Sequence, residues 1–306
     1  MGEKTMRKYG MGWLPDLPDF RDYTMEQKEV PTRLKSLDQK PIKSMLQSVG
    51  LAKTAKKSLP SKVDLRPWFS PVEDQLDLGS CTANAGVGLL EYFERRAFGK
   101  YIDASRLFLY KVTRKLLHST GDSGAYLRTT MEAMCLFGVP PAEHWPYDPA
   151  RFDEEPPAFC YAFAQNYQAI QFYRLDPPQG SGPEALLTRI KSGLNAGLPA
   201  MFGFTVYRSI AEANADGRIP FPSSADGVEG GHAVVVAGYD DQLKIKGKGP
   251  KAEETTGALL IRNSWSADWG EQGYGWLPYR YVTAGLAIDW WSLLKSEWVD
   301  TGQFKV

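Results

Sequence analysis

The sequence predicts an α+β protein of two lobes, a mainly helical one followed by one built on antiparallel β-strands. Three observations lead there. Apolar residues recur at helical spacing between Val63 and about residue 180, short β-rich runs separated by Gly, Asp and Lys clusters take over after Gly197, and no segment repeats or falls to low complexity.

Composition bounds what such a chain can do. Hydrophobic residues make up 43% and aromatic residues 12% of its 306 positions, including nine Trp, enough apolar material to offset the ordering entropy of a globular fold. Lys plus Arg and Asp plus Glu each number 36, so the formal charge is zero and no general field gathers nucleic acid or an anionic membrane. Neither is expected as a partner. Three Cys without a CxxC pair indicate neither a complete disulfide framework nor a zinc ribbon, and at least one thiol is expected to be unpaired. No phosphate-loop glycine pattern and no metal-ligand spacing occurs, so no cofactor and no metal are expected. Met1 to Lys8 carries positive charge with no apolar run before Pro15, and no stretch approaches a membrane span. A cytoplasmic location is the default expectation, though export by another route would read the same.

Residues 1 to 60 form an extension of different texture. It runs from Trp13-Leu14-Pro15-Asp16-Leu17-Pro18-Asp19 into a stretch with Lys53, Lys56, Lys57 and Pro60. Leu34, Leu37, Met45, Leu46 and Val49 suggest a short amphipathic helix that Pro41 interrupts. The main domain is expected over residues 61–306, helical over 61–180 and β over 181–306. In the helical part, Thr82 to Phe98 carries Ala85, Leu89, Leu90, Phe93 and Ala97 at helical spacing, and Arg128 to Phe137 makes a second helix stopped by Gly138. Ser181 to Ala196 adds a third, with Leu186, Leu187, Ile190 and Leu194 on one face and Gly197 as the stop. Leu198–Val206, His232–Tyr239, Ala258–Trp265 and Tyr274–Tyr279 read as strands.

Three segments carry chemistry. Cys81 stands where a Gly-containing loop, Gln75 to Ser80, runs into the first long helix. Unsatisfied N–H groups and the positive end of the helix dipole there favour thiolate over thiol, as a nucleophile requires. His232 opens a β-run behind Gly230 and Gly231, where a glycine flank lets another chain approach. From there its imidazole can reach a thiol on the other lobe and take its proton. In Arg262-Asn263-Ser264-Trp265, the Asn263 amide oxygen can accept the imidazole N–H and fix its tautomer while Trp265 shields that bond from water.

Together these segments resemble the papain family of cysteine proteases. Gln75, six residues before Cys81, matches the family's oxyanion-hole glutamine; His232-Ala233-Val234 with Gly238-Tyr239, and Asn263-Ser264-Trp265 with Trp269-Gly270 and Gly273-Tyr274, match its other blocks. Ser61 to Arg66 looks like the start of the catalytic domain, and Trp145-Pro146-Tyr147 resembles the family's Tyr-Pro-Tyr element. The resemblance implies a two-lobe papain-like fold, a helical left lobe and an antiparallel β-barrel-like right lobe, with the active site in the cleft between them. It implies an endopeptidase that forms an acyl-thioester on Cys81, acting on peptide or protein substrates. It also implies substrate contacts from Ser123, Gly124, Ala125, Tyr126, Gly231, Trp265, Trp269 and Asp289. If Asp289 floors the main specificity pocket, Lys or Arg two residues before the cut bond is favoured; a solvated surface Asp is the alternative. Two departures stand out. Thr82 replaces the aromatic residue that usually follows the nucleophile, and Leu78 replaces a half-cystine that staples the active-site loop in most members. The surplus between His232 and Asn263 falls in the polar run Gln242 to Thr256, which suggests a hairpin or loop insertion.

The run Gly12 to Asp22 looks similar to the N-terminal segments of bacterial papain-like proteases of the xylellain type. The Trp, Leu, Phe and Tyr residues of the extension need burial, so it is expected either to cover the cleft, inhibiting the enzyme from within its own chain, or to serve as a structural lead-in remote from it. A catalytically silent peptide-binding relative and an acyl-transfer enzyme with the same Cys-His-Asn chemistry are the competing functions.

Overall fold

The computed structural model describes residues 9–30, 32–36, 38–51, 58–168, 171–176, 182–248 and 252–304; Leu37, Lys53, Lys56 and Lys57 of the extension lie outside them. The extension contributes strand β1 (Trp13–Leu14) and two short helices, α1 (Thr32–Lys35) and α2 (Ile42–Ser48). The sequence suggested one interrupted helix here, and Pro41 separates the two by capping α2. A ring without an N–H is tolerated at a helix start and breaks a helix interior.

Strand β2 (Lys62–Asp64) opens the main body, and the helical lobe follows as α3 (Cys81–Phe98), α4 (Arg106–Leu116), strand β3 (Ala125–Tyr126), α5 (Leu127–Leu136) and α6 (Ala158–Ala164). Every residue of α3 from Cys81 to Phe93 is buried, so the other elements are built around this helix. Gly99, at φ +73°, ends it with a left-handed cap that its missing Cβ permits. Helix α4 was not anticipated. The contiguous Leu107-Phe108-Leu109-Tyr110 hides its period, but Ser105 caps it by accepting the Phe108 N–H at 3.1 Å.

The second lobe holds β4 (Gln171–Arg174), α7 (Pro183–Asn195), β5 (Ala200–Tyr207), β6 (Val228–Lys246), β7 (Glu254–Arg262), β8 (Tyr274–Pro278), α8 (Tyr279–Thr283), β9 (Ala287–Leu294) and α9 (Ser296–Asp300). Its seven strands make one antiparallel sheet in the order β4-β9-β5-β6-β7-β8, with β2 added on β6. This corrects the barrel-like expectation, because among the described residues β4 and β8, at the two ends of the path, do not pair with each other. The 19-residue β6 pairs with β5 along its first half and with β7 along its second, slipping register near Gly238 and again after Asp240. Such slips curl a sheet without closing it. The surplus between His232 and Asn263 is the far end of this hairpin, paired at Lys244–Thr256, Ile245–Thr255 and Lys246–Glu254.

Each lobe is strapped by chain from the other. Val63 of β2 pairs with Tyr239 of β6, while past β9 the chain returns to stack Trp298 on Phe93 of α3 at 5.1 Å. The cleft walls are thus fixed from both sides.

Candidate active site

Cys81 is the first residue of α3 and is fully buried. Backbone N–H groups of Ala233, Gly12 and Thr82 address its sulfur, but burial outweighs them and pushes the thiol up to about 11. His232 lies on β6 opposite Phe204 of β5. Its Nε2 is 2.8 Å from Asn263 Oδ1, and that oxygen also accepts the Ser264 N–H at 2.8 Å. An oxygen that already accepts one N–H fixes the amide orientation, so Nε2 carries the proton and Nδ1 keeps its lone pair. Nδ1 has no hydrogen-bond partner among the described residues. Burial pulls the imidazole down to about 4, against the Asn263 bond, which favours the charged ring. Burial thus disfavours the charged form of both groups. Trp265 stacks on the His232 ring at 4.5 Å and 21°, and Trp269 meets Trp265 edge-on at 5.6 Å.

Gln75 is fully buried, with Oε1 accepting from Ser264 Oγ at 2.5 Å. The Tyr147 hydroxyl donates to the Gln75 carbonyl at 2.9 Å and lies 2.7 Å from Ser80 Oγ, which gives the Trp-Pro-Tyr element a part in shaping the loop. None of the three cysteines is in a disulfide. Asp122 holds the loop instead: both carboxylate oxygens are 3.0 Å from the Gly79 amide, and Tyr110 donates to the same carboxylate at 2.5 Å.

Residues 9–14 of the extension lie in this cleft. The Gly10 carbonyl accepts from Gln75 Nε2 at 3.0 Å, and the Gly12 carbonyl accepts from the Ala125 amide at 2.8 Å. Beyond it β1 pairs in parallel with β3, Trp13 opposite Ala125 and Leu14 opposite Tyr126. Gly12 has to be glycine, since a Cβ there would stand 1.9 Å from the Gly79 carbonyl oxygen. Trp13, 6% exposed, lies against Gly203 and Gly231 and donates from its ring nitrogen to Asp289 Oδ2 at 3.1 Å. Tyr9 stacks on Trp265 at 4.5 Å.

Of the residues singled out for substrate contact, Gly124, Ala125, Tyr126, Gly231, Trp265 and Asp289 all meet this segment. Ser123 is exposed and turns its hydroxyl to the Gly124 carbonyl. Trp269 sits buried edge-on to Trp265 and over Gly275. Asp289 is not a surface residue. It has no exposure, and its carboxyl, raised by burial to about 6 against the pull of Arg174, accepts from Trp291 Nε1 at 2.7 Å and pairs with Arg174 at 3.1 Å. The burial argument for the extension holds for Trp13 and fails for Leu17 and Phe20, which are 75% and 96% exposed. Arg174 and Gly203 were not anticipated, and Asp122 was expected only as part of the substrate loop that runs to Tyr126, not as a brace for the Gly79 amide. Only Gly203 left a trace, as a glycine inside an otherwise bulky strand, which marks a close approach.

The family description "Papain family cysteine protease" matches residues 59–288. A peptidase C1-like protein of Acanthamoeba polyphaga mimivirus, itself described as uncharacterized, is 31% identical over 92% of this chain and 85% of its own length. The crystal structure of xylellain, a cysteine protease from Xylella fastidiosa, is 33% identical, covers 94% of this chain and 97% of its own, and superposes with a TM-score of 0.70. Cathepsin K of Gallus gallus is 26% identical over 70% of this chain and 58% of its own length.

Proposed function

The chain belongs to the papain family of cysteine proteases, and from that premise we propose that Cys81 is its nucleophile, His232 the base, Asn263 the group that orients the base and Gln75 an oxyanion donor. The observation that carries this assignment is the His232 ring, tied by Nε2 to Asn263 with Nδ1 left unpartnered, beside Ala233, whose N–H addresses the Cys81 sulfur. His232 Nδ1 takes the thiol proton, and the thiolate adds to the peptide carbonyl carbon. The carbonyl oxygen gains negative charge and is held by the Cys81 N–H and Gln75 Nε2. The imidazolium returns its proton to the departing amine, which leaves an acyl-thioester. Water then adds to the thioester, giving its proton to Nδ1, and the acid leaves as the thiol is restored.

The full chain, on this reading, is latent. Gln75 Nε2, the oxyanion donor, is taken up by the carbonyl of Gly10, while the group facing the sulfur is the amide of Gly12. With that donor and the sulfur both occupied by the extension, the cleft is closed to a substrate. A thiol-directed epoxide, followed by mapping of the modified residue, tests the assignment in Gly12→Val, whose side chain would collide with the Gly79 carbonyl and open the cleft: labelling is expected at Cys81 and lost when Cys81→Ala is added. Undiminished labelling of that variant would refute it.

A further inference from the structure

We infer that the pocket filled by Trp13 selects a tryptophan side chain at the substrate residue two before the cut bond, ahead of phenylalanine and far ahead of lysine or arginine. The inference rests on the proposed catalytic reading and names the substrate class of that site. Trp13 is one residue along from Gly12, whose amide meets the sulfur, so its side chain fills the pocket next to the attacked position.

Shape comes first. The indole lies directly on two backbone positions without side chains: a Cβ on Gly203 would stand 1.9 to 2.4 Å from three of its ring carbons, and one on Gly231 would stand 2.9 Å from a fourth. Any other residue at Gly203 fills the slot that the larger ring occupies, so the pocket is cut to indole depth. Polarity comes second. Asp289 Oδ1 is already used by Arg174 at 3.1 Å and Trp291 Nε1 at 2.7 Å, which leaves Oδ2 to the Trp13 ring N–H. A phenylalanine fits the slot but covers Oδ2 without giving it a donor, and a buried acceptor left unpaired is costly.

Charge comes third and reverses the expectation drawn from sequence. An isolated aspartate at a pocket floor attracts a cation, but Asp289 comes paired with Arg174, which also holds Asp176 at 2.9 Å. An incoming lysine or arginine would give up its hydration at a carboxylate already paired with Arg174, next to that cation. A neutral N–H donor meets the same oxygen without that cost.

The test uses the full-length chain carrying Trp13→Ala and Cys81→Ala, so that the pocket is vacated and binding is read apart from turnover. Peptides differing only at the one position are titrated by calorimetry, and residual competition from the extension backbone cancels in their ratios. Tryptophan is expected to bind roughly tenfold tighter than phenylalanine and at least roughly a hundredfold tighter than arginine. Adding Gly203→Ala is expected to remove the tryptophan advantage while peptides with valine keep their affinity. Arginine binding as well as tryptophan, or a tryptophan advantage that survives Gly203→Ala, would overturn the inference. Loss of epoxide labelling at Cys81 in the single Trp13→Ala variant would instead sink the catalytic assignment and leave the binding ratios standing.

Discussion

The extension meets the body in two ways. Residues 9–14 dock by shape: glycines pressed against backbone, carbonyls on buried amides, one indole sunk in a pocket. Residues 16–24 dock by charge, with Asp16 and Asp22 on Arg128 at 3.2 and 3.0 Å, Asp22 on Arg174 at 3.3 Å, and the Tyr23 carbonyl accepting from the Arg174 amide at 2.8 Å. Further along, Lys40 reaches Asp300 at 2.6 Å across open surface. The first contact decides whether the sulfur is covered. The others decide how tightly the cover is held, and Arg174 joins the two, since it grips Asp22 on one side and Asp289 under Trp13 on the other.

The largest test of that division is Gly12→Val, whose Cβ would collide with the Gly79 carbonyl and lift the plug while leaving the charged contacts in place. A thiol pushed from 9.0 up to about 11 is deprotonated about a hundredfold less at pH 7, because raising the pKa of an acid lowers its ionised fraction at fixed pH. Iodoacetamide alkylation of Cys81 in the full chain should therefore be slow at neutrality and keep climbing into strongly alkaline solution. Gly12→Val should react about a hundredfold faster at pH 7 and level off earlier; matching pH profiles would mean that the plug does not control the thiol.

A smaller effect is expected from Asp22→Ala, which strips Arg174 of one partner and Arg128 of another while leaving Trp13 seated. Breaking such a buried pair costs roughly 1–3 kcal/mol where other carboxylates remain, as Asp176 and Asp289 do here. Hydrogen exchange should rise at residues 16–24 more than at residues 10–14, and equal rises would merge the two regions into one unit. Lys40→Ala should do least, within about 1 kcal/mol in thermal unfolding and with no change in alkylation rate, because both Lys40 and its partner Asp300 are half exposed and screened by solvent.

How much of this could be read in the sequence depended on whether the signal was local. Cys81 at a loop-to-helix step and His232 behind paired glycines are local patterns, and so were the helices with clear periodicity. Helix α4 was lost because four adjacent apolar residues blur its period. The open sheet was missed because closure depends on where a long strand slips register, which no composition reports. The two meanings of Asp289 could not be separated without Arg174, a partner more than a hundred residues away that a charge count cannot pair with it. Trp13 was known to need burial, as were Leu17 and Phe20; only three-dimensional shape distinguishes the one that found a slot from the two that did not.

A thiol enzyme has to be kept in reducing solution if its sulfur is to stay usable, and the same reductant attacks any cystine that braces the neighbouring loop. Here the brace two residues from Cys81 is a carboxylate on a backbone amide. Glutathione or dithiothreitol can protect the proposed nucleophile without dismantling its support, so the chemistry that keeps the sulfur reduced leaves the surrounding architecture untouched.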